Sequence, residues 1–406
     1  MTSVAVTLAE WAAGLDPDRE DLDLAHRSLL DTVAVTLAAR DHRVTRLAAA
    51  AGLPEGARWA VAGHVLDFDD LHMPSTTHVS VVCVPTALAA SELPGDGGAG
   101  DGGARAYLAA AGVMARLGTA LGWRHYSAGW HATCTAGAPA AAAGAAVALG
   151  LPAERIAAAI ALAVPAAGGV QRAFGTDAKS LQVGFAVEAG IRAARLAAAG
   201  AQADPSALDV WLGLVGGDPS AVDPSGPIVP NGLAIKLYPC CYALQRPISA
   251  LSGLSADPAA VRRIVLRTPE ATVLPLIHHR PDSGLQGKFS LEYAAATALL
   301  DTYAGFGSFT DEAVRRDEAR RLVGLVETKL DPGGDWLLDG ELEAEVHMAD
   351  GTVLRARQQY PPGSPARPPT ADQLAAKLAD CVAGLDTDPA AWTWENAATT
   401  LRRYLP

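Results

Sequence analysis

The chain has 406 residues, half of them hydrophobic and 19% charged, which excludes global disorder and makes two domains the natural expectation. Its formal charge of -12 argues against a nucleic-acid partner, whose phosphates call for clustered Lys and Arg. Five cysteines, an odd number, and a Met1–Asp16 stretch that lacks a basic n-region and contains Glu10 and Asp16, lead us to expect a reduced, cytoplasmic protein.

In chain order, the first predicted helix covers Leu24–Leu37, where apolar residues recur at helical spacing around His26, Arg27 and Asp31. Further helices are predicted at Ser80–Glu92, Arg105–Leu121, Ala136–Gly150, Ala153–Val164 and Gln182–Ala199. Alanine dominates them, so closely packed helices are expected. The nearly charge-free Gly137–Pro152 and Ile156–Val170 consist of Ala and Gly and are broken by Pro152, Glu154 and Arg155; they read as core helices and no membrane span is expected. Gly95, Gly97 and Gly100 form a literal G-x-G-x-x-G, but Glu92-Leu93-Pro94 precedes it instead of a strand, so no dinucleotide cofactor is inferred.

The pattern changes beyond about Pro230. Val261–Pro269 and Glu341–Met348 alternate like strands, and Ala349-Asp350-Gly351-Thr352 is a hairpin turn signal leading into Val353–Arg357. Helices are predicted around Ser290–Leu300 and Asp311–Leu322. A proline-rich linker (Pro361, Pro362, Pro365, Pro368, Pro369) precedes a closing helix, Ala371–Ala383, with Thr370 as N-cap. The fold class expected is mainly α. An all-helical domain spans residues 1–235 and is completed by 368–406, and a smaller α+β domain covers 236–367.

Chemistry concentrates at Gly63–His78, where Asp67, Asp69, Asp70, His64, His72 and His78 stand among apolar residues. Imidazoles that exchange protons and carboxylates that orient them are what neutral-pH proton transfer requires. Asp69, Asp70 and His72 are equally readable as helix-capping, water-facing groups. A metal set of His64, Asp67, His72 and His78 has irregular spacing and is not favoured. Other segments mix ionisable residues with glycine or proline: Ser127–Gly137, Thr176–Gly184, Lys236–Cys241, His278-His279-Arg280 and Lys288–Tyr293. Adjacent Cys240 and Cys241 lack redox-couple spacing. Buried lysines need anionic partners, and two of them with histidines suit a substrate bearing several carboxylates.

Five strings occur in order: Leu66-Asp67-Phe68-Asp69-Asp70-x-His72, Gly129-Trp130-His131-x-Thr133-x-Thr135-x-Gly137, Lys179-Ser180-Leu181-x-x-Gly184, Lys236-Leu237-Tyr238-Pro239-Cys240 and Phe289-Ser290-Leu291-x-Tyr293. With them the chain resembles the MmgE/PrpD family, which includes 2-methylcitrate dehydratase, cis-aconitate decarboxylase and iminodisuccinate epimerase, and the resemblance runs from Leu30 to Lys377. It implies a helical domain with an α+β lid, a homodimer, a small polycarboxylate substrate, and neither metal nor organic cofactor. It also implies an interdomain pocket in which His78 and His131 are acid/base candidates, Lys179 and Lys236 hold carboxylates, Asp67 orients a neighbour, and Tyr293 donates a hydrogen bond or proton. Dehydration is the activity expected first, then epimerisation, then decarboxylation; a non-catalytic metabolite-binding homologue is the rival. The family often has threonine at Leu71, histidine at Gln182 and at Gln245, and aspartate at Ser249, so these positions bear on substrate choice.

Overall fold

The computed structural model describes residues 2–91, 102–333 and 339–406, and within them the chain forms two compact units. Gly95, Gly97 and Gly100 of the glycine-rich string lie outside the described residues. The first unit comprises Met1–Arg172, Asp177–Ala234 and Leu374–Pro406; the second comprises Ala173–Thr176 and Ile235–Gln373. Among the described residues no helix is long and apolar enough to cross a membrane.

The first unit is helical. Its helices include α1 (Val4–Ala13), α2 (Arg19–Ala38), α3 (Arg43–Ala50), α4 (Glu55–Val65), α5 (Ser80–Ala90), α6 (Gly102–Ser127), α7 (Ala132–Ala148), α8 (Ala153–Ala163), α9 (Ala178–Ala198) and α10 (Ala207–Leu214), and the C-terminal segment adds Ala397–Tyr404. Helix α7 lies at the centre, packed by α6, α8 and α9, and every residue from Ala132 to Ala146 is buried. A helix apolar all round belongs in such a core. Small side chains let the helix backbones approach closely: a Cβ on Gly190 of α9 would lie 2.4 Å from the Ala141 Cβ, and one on Gly144 of α7 would lie 2.6 Å from that of Ala110.

The sequence reading missed α1, α3, α4 and α10. It also started α7 at Ala136, four residues late, because Gly129 to Gly137 carries glycine at both ends and the chemistry between them masks a helix start. Arg116 of α6 gathers the chain after α10, donating to the carbonyls of Asp223 and Ile228 at 2.8 and 2.7 Å, with its guanidinium 4.3 Å above the Trp11 ring.

The second unit is built on a four-stranded sheet of order β2-β1-β3-β4, formed by β1 (Val261–Pro269), β2 (Val326–Asp331), β3 (Leu342–Met348) and β4 (Val353–Gln358). Strand β1 runs parallel to β2 and antiparallel to β3, and β3 pairs antiparallel with β4. Leu342, Ala344 and Val346 alternate inward along β3, while Glu343 and Glu345 pair outward with Arg357 and Arg355 of β4 at 2.7 and 3.0 Å. The hairpin turns at Gly351, whose φ of 87° needs glycine. Edge strand β2 was not foreseen: its Val-Glu-Thr-Lys-Leu-Asp sequence keeps much of its side-chain surface exposed, so it has no inward apolar set to read. The single helix expected at Asp311–Leu322 is two short helices that meet at Arg316. Thr370 does cap the closing helix, its Oγ1 accepting from the Gln373 N–H at 3.2 Å.

Candidate active site

Helix α4 ends at Val65, placing His64 in its last turn. The chain then turns at Asp67, which takes the left-handed conformation (φ 56°) that Asp tolerates better than most residues, and its N–H donates to the His64 carbonyl at 3.0 Å. Beyond it, Leu71 exchanges two backbone hydrogen bonds with Ala234, and the His72 N–H donates to the Thr77 carbonyl. The loop is anchored from beneath by Lys377. Its Nζ lies 2.6 Å from the Asp31 carboxylate, donates to the Phe68 carbonyl at 2.9 Å and stands 4.1 Å over the Phe68 ring. This irregular segment is therefore held at several points, and it returns the chain to α5 with His78 two residues before the helix starts.

Four elements converge on a buried polar cluster. The Lys179 Nζ, in the first turn of α9, lies 3.0 Å from both Asp67 Oδ1 and His64 Nε2. Because an ammonium can only donate, His64 Nε2 accepts, and His64 Nδ1–H faces Asp69 Oδ2 at 2.8 Å. The same carboxylate oxygen lies 3.0 Å from His78 Nδ1, and His78 Nε2 is 3.9 Å from Asp67 Oδ1. The His78 backbone N–H donates to Thr133 Oγ1 at 3.0 Å, tying the loop to the first turn of α7. His131 immediately precedes α7, its ring stacked 5.7 Å from that of His64. Its Nδ1 lies 2.6 Å from Gln182 Nε2 and 3.2 Å from Cys134 Sγ.

Burial dominates the electrostatics. It pushes the His64 and His131 pKa values down, and the Lys179 charge acts on both in the same direction, so both rings stay neutral near pH 7. Burial would raise Asp69, but His64 and His78 on either side outweigh it and hold the carboxyl well below the usual range. Asp70 differs. It accepts from the Ser80 N–H at 3.0 Å and from the Ser80 hydroxyl, and burial pushes its pKa up to about 7.

His64, Asp67, Asp69 and His78 offer ligand atoms within 4.8 Å of one another, a donor set that suggests a metal. The Lys179 ammonium, however, sits against His64 Nε2 and Asp67 Oδ1 and already supplies the cation those atoms would seek. The ammonium would repel a second positive charge at those two atoms. His72, counted in the metal set weighed from the sequence, is turned away: it bonds Ser75 Oγ and the Pro230 carbonyl, each at 2.7 Å.

The first unit thus brings together Asp67, His78, His131 and Lys179 of the residues singled out from the sequence. Lys236 and Tyr293 belong to the second unit. There Lys236 is completely buried, and the Tyr293 hydroxyl donates to the Ser308 carbonyl, with burial pushing its pKa up to about 12. His279 pairs with Glu292 at 2.9 Å and is largely exposed, and Cys240 and Cys241 are buried thiols that form no disulfide. Gln245 is structural, its Oε1 accepting from the Leu237 and Tyr238 N–H groups at 3.1 Å. Sequence reasoning left Asp69 undecided and treated Gln182 only as a departure. The usable signal for Gln182 was its spacing, since three residues after Lys179 puts it on the same face of α9.

Residues 57–215 match the MmgE/PrpD N-terminal domain, and residues 238–400 match the MmgE/PrpD C-terminal domain. No curated protein matches the chain.

Proposed function

Because the chain belongs to the MmgE/PrpD family, we propose that it is a cofactor-independent lyase that dehydrates a small polycarboxylate, in the manner of a 2-methylcitrate dehydratase. The observation that carries this reading is the buried cluster of three histidines, two aspartates and a lysine on the first unit. A structural histidine needs no such company, whereas proton transfer next to a carboxylate uses each member.

In the proposed reaction His78 is the base. Asp69 beside its Nδ1 favours a proton on that nitrogen and leaves the Nε2 lone pair to take the proton from the carbon next to a substrate carboxylate. The electron pair forms the carbon–carbon double bond, and the β-hydroxyl leaves. His78, now cationic, returns the proton to that hydroxyl, which departs as water, so the ring ends as it began. Negative charge that builds on the carboxylate during proton removal is met by the Lys179 ammonium and by neutral His131 as a hydrogen-bond donor. Asp67 holds Lys179 in place. Lys236 is proposed to hold a carboxylate, and Tyr293 to donate a hydrogen bond or a proton.

The test is turnover of a panel of hydroxy di- and tricarboxylates, with products identified by NMR. An unsaturated acid is expected from at least one substrate. His131→Ala should lower turnover by about 100-fold or more with the helical circular-dichroism signal retained. Carbon dioxide release or inversion at the α-carbon would instead identify a decarboxylase or an epimerase. Full activity of His131→Ala would remove His131 from the site, and binding without reaction across the panel would favour a metabolite-binding protein.

A further inference from the structure

Two histidines that flank one reacting centre need different protonation patterns, and the residues around His131 dictate its own. We infer that Gln182 is a positioning residue that locks His131 in the Nε2–H tautomer, making it a hydrogen-bond donor at the site. The inference rests on the reading of His131 given above and adds the device that sets its role.

The Gln182 amide is oriented by the backbone of Val170. Its Oε1 accepts from the Val170 N–H at 3.1 Å, and its Nε2 faces the Val170 carbonyl at 3.3 Å. Turning the amide over would set an NH₂ against an N–H and an oxygen against a carbonyl oxygen, losing both contacts. The NH₂ end therefore points at His131 Nδ1, 2.6 Å away, and that nitrogen can only accept. In a neutral imidazole the proton is then on Nε2. The Cys134 thiol, 3.2 Å from the same Nδ1, acts in the same sense, because burial pushes its pKa up and keeps it an S–H donor.

The backbone enforces this register. The His131 N–H donates to the Gly169 carbonyl at 3.0 Å and the Gln171 N–H to the Gly129 carbonyl at 2.9 Å, so Val170 and His131 are carried on paired segments. Gly169 (φ 136°) permits the approach: a Cβ there would lie 2.7 Å from the Cys134 Cβ. The charged and titratable groups that bear on His131 are His64, Lys179, His78 and Asp67. Against Nδ1 itself stand the Gln182 amide and the Cys134 thiol, and both act on the tautomer in the same sense.

NMR of the full-length protein labelled with ¹⁵N-histidine tests the lock without any substrate, so its failure is separable from failure of the lyase reading. The His131 signal is assigned by its loss in His131→Ala. Near neutral pH the unsubstituted protein is expected to show an unprotonated Nδ1 and a protonated Nε2. Gln182→Glu places an acceptor against Nδ1 and should move the proton to that nitrogen, and Gln182→Met should give a mixture of tautomers. With a reacting substrate, Gln182→Glu should lower kcat about tenfold or more and change the shape of its pH profile. A protonated Nδ1 in the unsubstituted protein would overturn the inference. So would an unchanged tautomer in Gln182→Glu, or loss of thermal stability with an unaltered pH profile.

Discussion

Asp70 is adjacent to Asp69 in the chain, yet the pKa values of the two carboxyl groups are shifted in opposite directions. Asp69 has two imidazoles against it; Asp70 accepts from the Ser80 N–H and hydroxyl, with the Tyr107 hydroxyl 2.9 Å beyond Ser80. Burial raises the folded-state pKa of Asp70 to about 7, from an ordinary value of 3.8. The folded chain thus binds a proton that the unfolded chain releases, and the resulting stability is fully present below about pH 4 and is lost as pH rises to about 7. Urea denaturation should show the stability advantage of the unsubstituted protein over Asp70→Asn shrinking as pH rises through this window. A difference that stays constant with pH would contradict the assignment. Asp69 has the reverse sign, stabilising above the ordinary carboxylate pKa and losing that contribution in acid.

At the level of elements, the site depends on how closely α7 and α9 pack, since α7 follows His131 and α9 carries Lys179 and Gln182. A Cβ on Gly190 would meet the Ala141 Cβ at 2.4 Å, the Ala142 nitrogen at 2.7 Å and the Ala138 carbonyl at 2.8 Å, mostly backbone atoms that cannot swing aside. Gly190→Val should therefore destabilise the protein by about 1–3 kcal/mol, measured by chemical denaturation. Unchanged stability would mean that the two helices separate without cost. The same close packing limits what the sequence reveals. Helix α9 could be read because Arg192 and Arg195 mark its outer face, but its start was placed at Gln182 and not Ala178, which hid the turn carrying Lys179. Helix α4 escaped because Gly56 and Gly63 lower its propensity; both are required where its backbone meets Ala89 and Val81. Strand β2 escaped because an exposed edge carries no burial pattern.

On the scale of the whole chain, the family and the mainly helical fold with a small α+β unit were legible because five short strings survive in order and periodicity changes after residue 230. The members of the buried cluster were legible as residue types: Asp67, His78, His131 and Lys179 all reach it. Their partners were not, because pairing depends on contacts that sequence separation hides. Gln182 stands 51 positions from the ring it orients and Lys179 stands 115 from His64. His78 is proposed to move a proton at the carbon next to a carboxylate. The most direct test is deuterium incorporation at that carbon in heavy water, followed by NMR for the polycarboxylate panel with the unsubstituted protein and with His78→Gln. Incorporation or dehydration by the unsubstituted protein, reduced by about 100-fold or more in His78→Gln, is the predicted result. No incorporation or dehydration by the unsubstituted protein on any substrate, or equal rates in the two proteins, would contradict it.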